Sequence, residues 1–138
     1  MTPRLSIALL AAAALAAGCA PQQSSSSDKV SQFRGDQRAA AQAVEDLESA
    51  AQDGNEAKLC TQVLAKALAD RLAAAGHGCA AAVNGAIKDT DSIDMTVESV
   101  RVTGDRATAR VKFETGKKDR RANVALVREG GRWRVAGF

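Results

Sequence analysis

The apolar positions of the chain change their spacing at about residue 91. Between residues 36 and 88 they recur every three to four residues, as on one face of an amphipathic helix. After residue 91 they alternate with polar residues, which is the spacing of a half-buried strand. The pattern therefore predicts helices followed by strands.

Three helices are predicted in the first half. The first begins at Asp36, which serves as its N-cap, and stops at Gly54. The second covers about Glu56 to Ala75 and the third Cys79 to Lys88, with Gly76-His77-Gly78 between them. The stripe that the first helix buries consists of Ala40, Val44, Leu47 and Ala51.

The first strand contains a slip in its alternation. Met95 and Val97 are at odd-numbered positions, whereas Val100 and Val102 are at even-numbered positions. A single extra residue in a strand moves the following side chains to the opposite face of the sheet. The sequence therefore predicts either a β-bulge near Ser99 or a change in which face of the strand is buried.

Three more strands follow, separated by glycine-containing turns. The alternating segments cover residues 107–113, 123–128 and 133–138. The turns are predicted at Gly104-Asp105, Gly116-Lys117 and Gly130-Gly131. Together with the helices, these strands predict an α+β domain in which three N-terminal helices pack on a four-stranded antiparallel sheet.

This order of elements resembles the small nuclear transport factor 2-like domains found in many bacterial lipoproteins. The segments VTGDRAT (102–108) and LVREGGRWRV (126–135) carry the same resemblance, which covers about residues 36–138. It implies a strongly curved sheet that wraps one long helix into a cone with a cavity.

The N-terminus has the pattern of an export signal. Arg4 precedes the apolar run Leu5–Ala17, which is too short to cross a bilayer but suits a signal peptide covering residues 1–18. Ala17-Gly18-Cys19 resembles the lipobox of bacterial lipoproteins, which implies that Cys19 is lipidated and anchors an extracytoplasmic protein to the cell membrane. A buried N-terminal helix and an ordinary secretory signal cut elsewhere remain open as alternatives.

A polar segment separates this signal from the predicted domain. Residues 19–35 contain Gln and a run of Ser with almost no apolar side chains, so we expect a flexible linker. The remaining residues, 36–138, are enough for one domain.

The three cysteines can be divided by function. If Cys19 is acylated, Cys60 and Cys79 remain as a pair, and an oxidising compartment favours a disulfide between them. Free thiols are one alternative. A metal site built from Cys60, His77 and Cys79 is another, although it lacks a fourth ligand.

Charge is distributed unequally along the chain. Residues 20–100 contain seven basic and twelve acidic side chains, whereas residues 101–138 contain eleven basic and four acidic ones. A cluster of four basic residues falls at one hairpin: Lys117, Lys118, Arg120 and Arg121. It is either a solvated sheet face or a surface for anionic lipid, an anionic wall polymer or an acidic partner. We expect no nucleic-acid partner, since the chain carries an export signal and few aromatic residues.

The sequence offers little support for catalysis. His77, the single histidine, lies between two glycines, and the chain has no tyrosine to form the oxyanion arrangement of isomerases that this family includes. Asp94, Glu98 and Glu114 fall on the polar positions of strands, so we expect them to face solvent. No catalytic residue, metal or cofactor is predicted.

These observations favour a membrane-anchored, non-catalytic binding or adaptor domain, whose ligand is an envelope protein or a small apolar molecule. The first alternative is an isomerase or dehydratase that uses carboxylates lining the cone. The second is a structural module that self-associates through its sheet. A carboxylate inside a cavity would favour the enzyme, and an apolar outer sheet face would favour self-association.

Overall fold

A computed structural model describes residues 29–88, 94–115 and 118–138. The predicted signal peptide, Cys19, Lys117 and the predicted turn at residues 116–117 lie outside these ranges. The described helices are α1 (Gly35–Gln52), α2 (Glu56–Lys58), a π-helical turn (Leu59–Val63), α3 (Lys66–Ala74) and α4 (Cys79–Lys88). The strands are β1 (Asp94–Thr103), β2 (Arg106–Thr115), β3 (Lys118–Glu129) and β4 (Arg132–Gly137).

The four strands form one antiparallel sheet in the order β1-β2-β3-β4, which confirms the predicted meander and the α+β class. The register of β1 against β2 shifts between Val97 and Ser99, so the predicted bulge is present. At the β3–β4 turn, Gly130 and Gly131 have φ values of 56° and 78°. A two-residue hairpin loop of this kind needs positive φ at both positions, which glycine adopts without steric cost.

Helix α1 packs on one face of the sheet and supplies much of the core. The buried side chains are mainly alanine, valine and leucine, together with Met95 and Trp133. Val30 is 1% exposed and belongs to the same core, while Gln32 and Gln37 donate to the carbonyls of Val97 and Val100 beside the bulge. The packed part of the chain therefore includes residues that the sequence analysis assigned to the linker.

The prediction of one continuous second helix is wrong. The helix is interrupted at Leu64 and Ala65, which have extended backbones with ψ values of 143° and 145°. Leu64 forms a parallel bridge with Val135, and the amide of Ala65 donates to the Val135 carbonyl at 2.7 Å. This pairing with β4 replaces the helical hydrogen bonds, so the described part of the chain has four helices where three were predicted.

Two smaller expectations also need correction. Arg34, not Asp36, is the N-cap of α1, and Asp36 lies in the first turn, where its carboxylate is 2.6 Å from the guanidinium of Arg128. Strand β3 starts at Lys118, five residues earlier than predicted. The charged residues at its start mask the alternation, but their backbones pair with β2 as far as Thr115.

The predicted disulfide between Cys60 and Cys79 is present and joins the π-helical turn to the first residue of α4. The two cysteines are 19 residues apart in the sequence, so the bond closes a loop of this length. None of the helices in the described ranges combines the length and the apolar character needed to cross a membrane.

Candidate functional site

An apolar cleft of about 520 Å³ opens between the helices and one end of the sheet. Of the sixteen described residues that line it, fourteen have apolar side chains, and the other two are Arg120 and Arg121. None of these sixteen residues has a carboxylate side chain. The volume lies in the range of small-molecule sites, about 300–1,000 Å³.

The helical wall of the cleft is produced by residues one turn apart. Leu68 and Leu72 occupy neighbouring turns of α3, and Val83 and Ile87 do the same on α4. Residues spaced by four lie on the same face of a helix. Leu68, Leu72 and Ile87 are only half-buried, so their apolar surface is accessible from the cleft.

The sheet wall is a row of side chains across three strands. Met95 pairs with Phe113, and Phe113 pairs with Arg120, so the three residues are in register across β1, β2 and β3. Phe138 also lines the cleft and is 70% exposed.

Arg120 and Arg121 lie on opposite faces of the sheet. Side chains two residues apart in a strand lie on the same face of the sheet. Arg120 is separated by an even number of residues from the buried Val124 and Leu126, so it lies on the helix-facing side at the cleft. No ion pair or side-chain hydrogen bond joins Arg120 to another residue within 29–88, 94–115 or 118–138. The Nε of Arg121 instead donates to Glu98 at 2.9 Å on the outer face.

The predicted basic cluster is therefore divided between two faces, as far as it is described. Lys118 is the first residue of β3; its side chain is exposed, and the residue interacts with another group of the protein. Lys117 lies outside the described residues. Both arginines border the cleft, but among the described residues of the cluster Arg120 has the helix-facing register position, whereas Arg121 is paired with Glu98.

The outer face of the sheet is charged, with cations paired to carboxylates. Glu98 contacts both Arg110, at 3.4 Å, and Arg121, and Lys112 contacts both Glu114 and Asp119. Of the carboxylates expected to face solvent, Glu98 and Glu114 are in these pairs. The third, Asp94, is exposed and accepts a hydrogen bond from Lys29 at 3.0 Å.

Two buried carboxylates on α1 were missed by the sequence analysis. Glu45 is 6% exposed and Glu48 is 8% exposed. Glu48 accepts a hydrogen bond from the amide of Met95 and is 3.6 Å from the ammonium of Lys29, whereas neither carboxylate oxygen of Glu45 has a hydrogen-bond partner among the described residues. Burial raises the pKa of Glu45; Lys29 acts in the opposite direction, and the charges of Glu48 and Asp46 add to the rise.

A signal for this pair is present in the sequence. Ala41, Glu45 and Glu48 fall at i, i+4 and i+7, parallel to the stripe that was assigned to the core. Ala41 is fully buried, so α1 is covered on two adjoining sides. Neither glutamate lines the cleft.

The residues weighed as metal ligands do not form a site. The sulfur atoms of Cys60 and Cys79 are bonded to each other, and His77 is exposed in the turn between α3 and α4. Within the described ranges, no group of three or more His, Cys, Asp and Glu side chains is placed to hold a metal ion.

The solved structures that are similar to this chain include the following two. One is a designed nuclear transport factor 2 domain, 18% identical, with a TM-score of 0.46, covering 68% of this chain and 89% of its own. The other is a candidate nuclear transport factor 2-like transpeptidase from Campylobacter jejuni, 17% identical, with a TM-score of 0.44, covering 69% of this chain and 91% of its own. No protein-family model and no curated protein matches the sequence. What the chain shares with these two structures is the general arrangement of helices on an antiparallel sheet.

Proposed function

We propose that this chain is a membrane-anchored, extracytoplasmic lipoprotein with a nuclear transport factor 2-like domain that binds a small apolar ligand in the cleft. Cys19 carries the lipid anchor, and the signal peptide that precedes it directs export. The domain is a binding module and not an enzyme.

The observation that carries this proposal is the composition of the cleft lining. Fourteen of its sixteen described residues are apolar and the remaining two are arginines, so the described lining lacks the Asp or Glu side chain that the enzyme alternative needs. The buried glutamates Glu45 and Glu48 pack away from the cleft, against β1 and Lys29. The ion pairs on the outer sheet face disfavour self-association through an apolar sheet.

A neutral fluorescent probe tests the proposal. We expect 1-N-phenylnaphthylamine to bind the full chain carrying Cys19→Ser, a variant that lacks an acyl group of its own. Ala82 lines the cleft on α4, while its neighbour Ala81 is exposed and does not line it. Ala82→Phe should fill the cleft and abolish the fluorescence increase, and Ala81→Phe should retain it.

The paired alanines keep the result interpretable. Both are alanines on the same helix, so the two substitutions change helix propensity equally. Equal urea midpoints for the two variants would show that Ala82→Phe is folded. A wild-type cleft that fails to bind the probe, or equal binding by both variants, would refute the proposal.

The anchor requires a separate test, because Cys19 lies outside the described residues. We expect metabolic labelling with a fatty-acid analogue in the wild-type chain and no labelling after Cys19→Ser. Two or three acyl chains would hold the protein firmly at a membrane, since one chain alone binds only marginally. Labelling that persists in Cys19→Ser would rule out this anchor.

A further inference from the structure

We infer that the ligand of the cleft is a single-chain amphiphile with one anionic head group, a carboxylate or a phosphate, which Arg120 binds at the edge of the apolar lining. This inference rests on the proposed function and specifies its ligand class. The alkyl chain would occupy the helical side of the cleft, and the head group would remain near strand β3.

The lining matches an alkyl chain better than a flat aromatic or a polar ligand. Leu68, Leu72 and Ile87 present half-buried aliphatic side chains from two helices. An alkyl chain in contact with them would be removed from water, and burial of each methylene favours binding. Phe113 is next to Arg120 in the sheet register, so the apolar lining continues up to the guanidinium.

Charge selects the head group. Arg110, Lys112 and Arg121 each contact a carboxylate on the outer face, but Arg120 contacts none in the described part of the chain. A guanidinium can bind a carboxylate or a phosphate through two parallel hydrogen bonds. The described lining has no acidic side chain that would compete with an anionic head group for Arg120.

The opposite head-group charge is disfavoured by the same geometry. A quaternary ammonium group would lie beside Arg120 without a carboxylate to balance it. A neutral alcohol would keep the contacts of its alkyl chain with the lining but would form no ion pair with Arg120. We therefore expect the order decanoate, then 1-decanol, then decyltrimethylammonium for ligands of equal chain length.

This order of affinities is measured by displacement of 1-N-phenylnaphthylamine from the full-length Cys19→Ser chain. Each ten-carbon competitor is kept below the concentration at which it forms micelles or separates from water. Arg120→Gln should weaken displacement by decanoate about three- to tenfold, as expected for a partly exposed charge-assisted contact, and leave displacement by 1-decanol unchanged. Arg110→Gln is the matched control, since it removes the same charge from the outer face. Octanoate should bind more weakly than decanoate by about fourfold per methylene removed.

The outcomes separate this inference from the proposal beneath it. If the probe binds but all three competitors displace it equally, and Arg120→Gln has no effect, the head-group inference fails while the apolar ligand site stands. If the wild-type chain does not bind the probe, both fail. Arg120-dependent binding to phosphatidylglycerol vesicles without displacement by monomeric decanoate would also overturn the inference, since the partner would then be a bilayer surface.

Discussion

The carboxylate of Glu48 accepts a hydrogen bond from the backbone amide of Met95 at 3.2 Å, inside the contact between α1 and β1. The same carboxylate is 3.6 Å from the ammonium of Lys29. Glu45 lies one turn earlier on the same helix and is equally buried, but its oxygens have no hydrogen-bond partner among the described residues. Two neighbouring glutamates with the same burial thus have opposite hydrogen-bonding environments.

We predict opposite effects of apolar substitution at these two positions. Glu48→Leu leaves the Met95 amide without its acceptor and should lower the free energy of unfolding by about 1–3 kcal/mol. Glu45→Leu removes an unpartnered carboxylate and should raise the free energy of unfolding by about 1 kcal/mol. Urea unfolding followed by the fluorescence of Trp133, the single tryptophan of the chain, measures both. If both substitutions lowered the free energy of unfolding by similar amounts, the prediction would be wrong, and the carboxylate of Glu45 would have a group that stabilises it in the folded state.

The pH dependence of stability should contain a contribution from Glu45. Burial raises the pKa of its carboxyl above the ordinary value of 4.5, so the folded state binds this proton more tightly than the unfolded state does. The contribution to stability is therefore fully present below the unfolded pKa and is lost as the pH rises through the folded pKa.

Glu45→Gln isolates this contribution, because every other titrating group is retained. The free energy of unfolding of the variant, minus that of the wild type, should increase as the pH rises above 4.5 and become constant above the folded pKa. Unfolding curves measured at several pH values give this difference. A difference that does not change with pH would show that Glu45 titrates alike in both states.

The disulfide should contribute both to stability and to the cleft. Replacement of Cys60 and Cys79 by alanine, in the Cys19→Ser background, opens a loop with a separation of 19 residues. The chain-entropy model gives a loss of about 3 kcal/mol for a loop of this size. Because α4 is attached to the π-helical turn through this bond, affinity for 1-N-phenylnaphthylamine should fall as well.

Calorimetry and probe titration on the same samples check both effects. Cys19→Ser alone is the control, and it should leave the melting temperature unchanged because it retains the Cys60–Cys79 disulfide. A double alanine variant with unchanged stability would contradict the prediction. Unchanged probe affinity in a destabilised but folded variant would show that α4 keeps its position without the bond.

Local patterns predicted the fold wherever short-range chemistry determines structure. The slip at Ser99 predicted the bulge, and Gly130-Gly131 predicted a tight hairpin, since both depend on neighbouring residues. The interruption of the second helix had no such signal. Ala65 has a high helix propensity, and its extended backbone arises from a hydrogen bond to Val135, which is 70 residues away in the sequence.

The candidate site was less predictable than the fold, for a related reason. The basic cluster was visible in the sequence, but the face on which each side chain lies depends on the start and register of β3, which the charged residues concealed. Thus Arg120 and Arg121 form one cluster in the sequence, although their register places them on opposite faces of the sheet and only the second of them pairs with Glu98 in the described structure. The burial of Glu45 and Glu48 could not be predicted from their residue type, because glutamate side chains are mostly exposed in folded proteins.

The most direct test of the proposed binding cleft is a methyl NMR titration of the full-length Cys19→Ser chain with decanoate. Binding in the cleft predicts saturable shifts of the methyl groups of Leu68, Leu72 and Ile87, with no shift of Thr96 or Thr108 on the outer face. Equal shifts on both faces, or no shift of the three cleft residues at saturating decanoate, would contradict the account.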